Sequence, residues 1–297
     1  MKLRKKIDGM TEEEWYNRGR IFADLNKHKG ALECFNKALK HNSKEAHIWY
    51  DKGISLAALG KYKEALKCLD KAIKLNPNKI FIWVGMGRVL SYMGNHREAQ
   101  KCFNKALSIV PKDSDDWSWL GLVLSFLGRL NEALICYNQA LALNPKNADA
   151  WHNKGVTLGK MRRYAEAIDC FARSLALNSK NVDAWIGMGF AFECAGQYTD
   201  AIVCYSQALR LNSENVIAWY NKGFSLYRLG RYADAIVCFD RNLALDPKNA
   251  FAWYYKGLAL YALDRYNEAI KCREKAIKLN PDLKKKEWPE KVYGKIR

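Results

Sequence analysis

The apolar residues of this chain return to the same places every 34 residues, and tryptophan marks the period most plainly. Trp-x-x-x-Gly occurs at Trp15–Gly19, Trp49–Gly53, Trp83–Gly87, Trp117–Gly121, Trp151–Gly155, Trp185–Gly189, Trp219–Gly223 and Trp253–Gly257, with no insertion or deletion between copies. Numbering each copy from Glu12, Ala46, Ile80, Ser114, Ala148, Val182, Val216 and Ala250 divides the chain into eight units. These are 12–45, 46–79, 80–113, 114–147, 148–181, 182–215, 216–249 and 250–283. Trp takes place four of each unit, Gly place eight, and Leu or Phe place eleven (Phe22, Leu56, Leu124 and Phe192, for instance). Gaps of four and three put these residues on one stripe of an α-helix. A second stripe has Ala at place twenty, mostly an aromatic at place twenty-four and usually Ala at place twenty-seven. Between the stripes, place fifteen is Gly or polar, which suits a turn. Asn-Pro or Asn-Ser (Asn76-Pro77, Asn144-Pro145, Asn178-Ser179, Asn280-Pro281) ends the second helix. Each unit predicts helix–turn–helix.

A glycine inside a helix costs about 0.5–1 kcal/mol relative to alanine. The expected compensation is close approach, with the small residues at places eight and twenty letting the two helices touch. Full burial of one Trp removes about 150–250 Å² from water, an upper bound of roughly 4–6 kcal/mol. One hairpin cannot cover both of its stripes, so neighbours must stack into a continuous core.

The spacing Trp-x-x-Leu/Lys-Gly-x-x-Leu, then Tyr-x-x-Ala-x-x-x-Phe/Tyr-x-x-Ala, then Asn-Pro, resembles the tetratricopeptide repeat family. The resemblance spans 272 of 297 residues, and the phrasing is similar to prokaryotic, archaeal-like members. It implies an all-α fold, an α-solenoid of tandem hairpins forming a right-handed superhelix whose first helices line a concave groove. Such arrays usually end in a solvating helix. Here residues 284–297, interrupted by Pro289, offer a short basic cap or tail, and residues 1–11 form a basic N-terminal segment. The last stripe is therefore a candidate for cover by a partner or a second copy.

Composition narrows the function. Hydrophobic residues make up 49% of the chain, enough for a core and too many for a disordered tail. No stretch approaches the roughly 18 apolar residues of a membrane helix, and the basic start lacks a signal peptide's apolar run. Membrane insertion is not expected, and a cytoplasmic location is. The net charge is +18, with the excess towards the two ends, while 182–215 carries four acidic residues against one basic.

Candidate chemistry dissolves into the repeat. Eight of nine cysteines occupy place twenty-three, and Cys194 stands alone at place thirteen. Equivalent places in packed helices lie about 8–10 Å apart, beyond the roughly 7 Å Cα limit of a disulfide. Free, semi-buried thiols in a reducing compartment follow. There is no Cys-x-x-Cys and no His-x-x-x-His pair, and His28 and His96 fill the place where five units have Tyr. Glu64, Glu98, Glu132, Glu166 and Glu268 mark solvated helix starts. No phosphate loop or nucleophile motif appears, so neither enzyme activity, a cofactor nor a metal is expected.

The resemblance implies groove residues at places two, five, six, nine, twelve and thirteen, and these vary while the core stripes repeat. Place two supplies Asp115, Asp149, Asp183 and Phe251. Place five supplies Tyr16, Tyr50, His152, Tyr220 and Tyr254. Trp119, Asn153, Asn221 and Tyr255 come from place six, and Arg20, Arg88, Phe190 and Phe224 from place nine. Tyr227 and Tyr261 come from place twelve. No Lys at place five and no Asn at place nine means that the family's carboxylate clamp is missing, and the asparagine ladder at place six is broken.

The expected function is a scaffold that binds a protein or peptide in the groove, through aromatic anchors and with some positive charge on the partner. Sequence-independent nucleic-acid binding through the basic surface is the rival, since charge alone supports phosphate contact. Many lysines, such as Lys67, Lys71, Lys74, Lys101 and Lys105, instead suit a solvated second-helix face. Self-association through the C-terminal end is the third alternative.

Overall fold

The computed structural model describes residues 9–286 and Trp288. Most of the basic N-terminal segment (1–8) and residues 287 and 289–297 of the tail lie outside the described residues. The described residues form sixteen α-helices and a 3-10 turn at Pro281–Lys285, with no β-strand. They fall into two compact units, divided between Pro145 and Lys146. The first unit holds α1 (Glu12–Asp24), α2 (His28–His41), α3 (Ala46–Ala58), α4 (Tyr62–Leu75), α5 (Ile80–Tyr92), α6 (His96–Leu107), α7 (Ser114–Phe126) and α8 (Leu130–Leu143). The second holds α9 (Ala148–Lys160), α10 (Tyr164–Leu177), α11 (Val182–Cys194), α12 (Tyr198–Leu211), α13 (Val216–Arg228), α14 (Tyr232–Leu245), α15 (Ala250–Ala262) and α16 (Tyr266–Leu279). Each odd-numbered helix packs against the even-numbered helix that follows it, as tandem hairpins. No described helix is long and apolar enough to cross a membrane.

Local chemistry sets the helix ends. Every residue at place fifteen takes the left-handed conformation that closes a helix. Glycine does so at Gly60, Gly94, Gly128, Gly196 and Gly230, while Asn26, Arg162 and Asp264 do so with φ of 56°, 61° and 58°. Most first helices start on a side-chain cap at place thirty-four, whereas Glu45 and Lys79 there make none. Asn147, Asn181, Asn215 and Asn249 each accept the backbone N–H three residues on at 2.9–3.0 Å, and Thr11 forms a capping box with Glu14. Helix α6 ends two residues earlier than its counterparts, at Leu107. Ser108 Oγ donates back to the Lys105 carbonyl there at 2.8 Å, and Val110 replaces the usual Asn.

The glycine at place eight makes room for a ring. In the first seven hairpins an added Cβ would meet the place-twenty-four side chain at 2.4 Å (Gly87 to Phe103) to 3.0 Å (Gly53 to Leu69). Those side chains, Phe35, Leu69, Phe103, Tyr137, Phe171, Tyr205 and Phe239, are at most 4% exposed. The close approach is thus glycine against the place-twenty-four side chain, a ring in six of the seven, with Ala at place twenty buried beside it.

Tryptophan at place four departs from the expected full burial. Only Trp15 is buried among these eight, and the others are half-buried, so the hydrophobic gain falls below the upper bound. Their second role is polar. The indoles of Trp49, Trp83, Trp185, Trp219 and Trp253 donate to the carbonyls of Ser43, Pro77, Ser179, Ser213 and Pro247 at 2.8–3.1 Å. Each pins the loop from the preceding hairpin. Lysines and arginines lie over the ring faces, Lys37 over Trp15 at 4.2 Å and Lys71 over Trp49 at 5.0 Å.

The last hairpin breaks the pattern and repairs it. Place twenty-four of α16 is Arg273, so no ring from that helix covers Gly257. Trp288 does so instead, with its Cη2 2.8 Å from where a Gly257 Cβ would stand. Trp288 is 8% exposed and Leu283 2%. Tyr254 packs edge-on to the Trp288 ring at 5.7 Å, and Arg273 lies 5.1 Å from its centroid.

Candidate binding surface

Within each unit consecutive first helices touch (α1–α3–α5–α7 and α9–α11–α13–α15), whereas second helices do not to a comparable extent. The first helices therefore line one face of each unit, and the residues expected to meet a partner distribute along it unevenly.

In the first unit, the Tyr16 hydroxyl donates to Asp51 Oδ2 at 2.8 Å, and its ring packs edge-on to His47 at 4.7 Å. Burial raises the Asp51 carboxyl above its ordinary range, against the pull of the Tyr16 donor. Arg20 and Asp115 are exposed, and Arg88 is half-buried with no partner for Nε among the described residues. Tyr50 corrects the expectation of a groove residue. It is 9% exposed, because its ring lies beneath Gly85 of the next hairpin, 2.6 Å from where a Cβ would be. Phe81, absent from the expected set, packs on Tyr50 at 4.7 Å and lies 6.4 Å from half-buried Trp119.

In the second unit the aromatics converge on Tyr255. Around it stand Phe224 at 5.0 Å, Tyr254 at 5.4 Å, Tyr227 at 5.6 Å and Tyr220 at 6.4 Å. All are half-buried except Tyr254, which is 4% exposed and belongs to the core with Trp288, a second correction of the groove set. Phe190 and Phe251 stand out at 50% and 41% exposure. Asp149 and Asp183 are exposed, and Asn153 and Asn221 half-buried. Tyr261 lies apart from the cluster, against Tyr266 of its own hairpin at 5.2 Å. His152 packs against Phe171 at 5.6 Å with Nδ1 buried and unpaired. Burial lowers its pKa, although Asp183 and Asp149 favour its protonated form.

Residues 12–45, 46–79, 148–181, 216–249 and 250–283 match the tetratricopeptide repeat family. The chain belongs to the tetratricopeptide repeat family. Residues 80–113 match a second tetratricopeptide repeat description, and 127–161 and 195–230 a third, named TPR repeat. Among solved structures, the crystal structure of MamA is similar at 22% identity, covering 56% of this chain and 97% of that one with a TM-score of 0.53. A second MamA structure matches at 22% identity over 59% and 96%, with a TM-score of 0.54. The APC/C hetero-tetramer Cut9–Hcn1 matches at 20% identity over 82% of this chain and 48% of that chain, with a TM-score of 0.64. Such identities speak for the fold alone. No curated protein matches the chain.

As an array of tetratricopeptide repeats the chain is a protein-interaction scaffold in the general sense, a fold that is typically non-catalytic. No group of three or more His, Cys, Asp or Glu side chains among the described residues could hold a metal ion. Beyond Phe81, one residue at an expected groove place was not singled out in the sequence. Glu193, at place twelve of α11, accepts from Ser225 Oγ at 2.9 Å and Tyr205 OH at 3.2 Å. Burial raises its carboxyl above the ordinary range. Its signal was a charge at a place otherwise filled by Ala23, Ala57, Ser91, Ser125, Gly159, Tyr227 and Tyr261.

Proposed function

We propose that the chain holds a segment of a partner protein along the first-helix face of its second unit. The cluster around Tyr255 carries this reading. The rings of Tyr220, Phe224, Tyr227 and Tyr255 are half-buried and Phe190 on α11 is exposed, and aromatic residues of this kind dominate the energetics of protein interfaces. Exposed Asp149 on α9 and Asp183 on α11, the helix of Phe190, add negative charge to first helices of the same unit, so a partner with apolar or aromatic anchors and some positive charge fits best. The lysines of the second helices are a weaker basis for nucleic acid, because several are engaged. Lys37 lies over Trp15, Lys71 over Trp49, and Lys74 pairs with Asp70 at 2.6 Å.

The test is capture from nuclease-treated lysate with wild type and a Tyr220→Ala, Phe224→Ala variant. Specific proteins held by wild type fall in yield by about tenfold or more with the variant, while thermal melting shows both proteins folded. Unchanged capture by the variant overturns the reading. Nucleic acid recovered from untreated lysate and stripped by salt would make the basic surface the functional one.

A further inference from the structure

Glu193 is the one charged residue at its place in the eight hairpins, and no cation is paired with it among the described residues. Both hydrogen bonds to the carboxylate end on Oε2, from Ser225 and Tyr205, which leaves Oε1 uncommitted. No basic side chain among the described residues pairs with it. Arg228 is near enough to influence it electrostatically, but the Arg228 guanidinium is spread over two rings, Tyr198 at 4.8 Å and Phe224 at 5.8 Å. A half-buried carboxylate without a cation is unfavourable, and a cation from outside removes that cost.

The neighbouring rings favour the same ligand. Ser225, which donates to Glu193, follows Phe224 in α13; Phe224 packs on Tyr255 at 5.0 Å and Tyr220 lies 6.4 Å from Tyr255, and aromatic faces attract cations through their quadrupoles. The local balance agrees, since 182–215 has four acidic residues and one basic in a chain of net charge +18.

We infer that Glu193, with the rings of Tyr220 and Tyr255, forms a socket for the ammonium or guanidinium group of a lysine or arginine on the bound protein segment. This rests on the aromatic face of the second unit being the binding surface, and it adds which atom of the face reads the partner's charge. Glu193 Oε1 accepts the N–H donors, and the rings flank the cation.

The test uses two pools of short fluorescein-labelled random peptides, each with a fixed Phe. One pool has a fixed arginine near it and the other citrulline, which keeps the shape and loses the charge. Wild type retains the arginine pool about tenfold more than the citrulline pool. Glu193→Gln, whose side-chain oxygen still accepts from Ser225 and Tyr205, melts at the wild-type temperature or above and shows no preference. Equal retention of the pools by wild type, or a preference that survives Glu193→Gln, overturns the socket. Phe224→Ala separates the two readings, because it weakens both pools alike if the aromatic face binds. Loss of both pools with Phe224→Ala but an intact arginine preference in Glu193→Gln leaves the face standing and removes the socket.

Discussion

Replacing Trp288 by alanine loosens the last hairpin and leaves the rest of the second unit protected. Trp288 fills over Gly257 the space that a place-twenty-four side chain fills in the other seven hairpins. Removing a buried Trp costs about 3–5 kcal/mol where the site cannot collapse. In a repeat array each hairpin leans mainly on its neighbours, so the loss stays local. Hydrogen exchange should rise in α15 and α16 and hold elsewhere. A second substitution sharpens the expectation: Arg273→Phe, added to Trp288→Ala, restores a ring from α16 itself and should recover most of the protection. If the double variant exchanges as fast as the single one, the socket over Gly257 is not what Trp288 supports. The single variant also tests for self-association at the C-terminal end, because it uncovers the surface over Gly257 that Trp288 fills. A shift of Trp288→Ala towards dimers in light scattering would expose that tendency.

Two glycine-to-alanine substitutions, both inside first helices, should move stability in opposite directions. At Gly87 an added Cβ lies 2.4 Å from Phe103 Cε1 and 2.7 Å from Cδ1. Phe103 is 4% exposed and has nowhere to retreat, so overpacking of about 1–3 kcal/mol exceeds the helix-propensity gain of about 0.5–1 kcal/mol. At Gly159 nothing lies within 4 Å of the added atom. The gain is then uncontested, and Gly159→Ala should stabilise by about 0.5–1 kcal/mol. Urea unfolding of the two variants beside wild type decides the matter. A stabilised Gly87→Ala would mean that the ring over place eight packs loosely.

The hairpins were legible because each core position repeats eight times and reports which way it faces. Trp15 and its counterparts, the place-eight glycines and the polar residues in the turns needed no partner to be interpreted. Even the left-handed backbone at Asn26, Arg162 and Asp264 follows from sharing a place with five glycines. The binding face was less legible, because exposure there depends on pairs of residues in different hairpins. Tyr50 and Tyr220 share place five, yet Tyr50 is covered because the next hairpin offers Gly85 at place six, whereas Tyr220 meets bulky Tyr255 at that place. Periodicity describes one position at a time and does not contain such pairings. Glu193 did not stand out in the sequence, because Ser225 and Tyr205, which hold its carboxylate, come from two other helices. Trp288 lies beyond the last full unit, where no register exists to copy. Its only trace in the repeat was Arg273, standing where a ring belongs.

The thiols at place twenty-three make the array its own gauge of local opening. All nine cysteines are free. Cys34, Cys68, Cys102, Cys136, Cys170, Cys204, Cys238 and Cys272 are buried, one to each second helix, while Cys194 is exposed. Burial pushes these thiols up, to about 12 at Cys204 and about 11 at Cys238, so they stay protonated and unreactive while their hairpins are closed. A timed alkylation pulse followed by peptide mapping would therefore tag each hairpin only when it breathes. It would give an opening profile from one end of the chain to the other with no probe introduced. Binding of a partner to one stretch would appear as thiols that fall silent there, and the location of the contact could be followed before its chemistry is known.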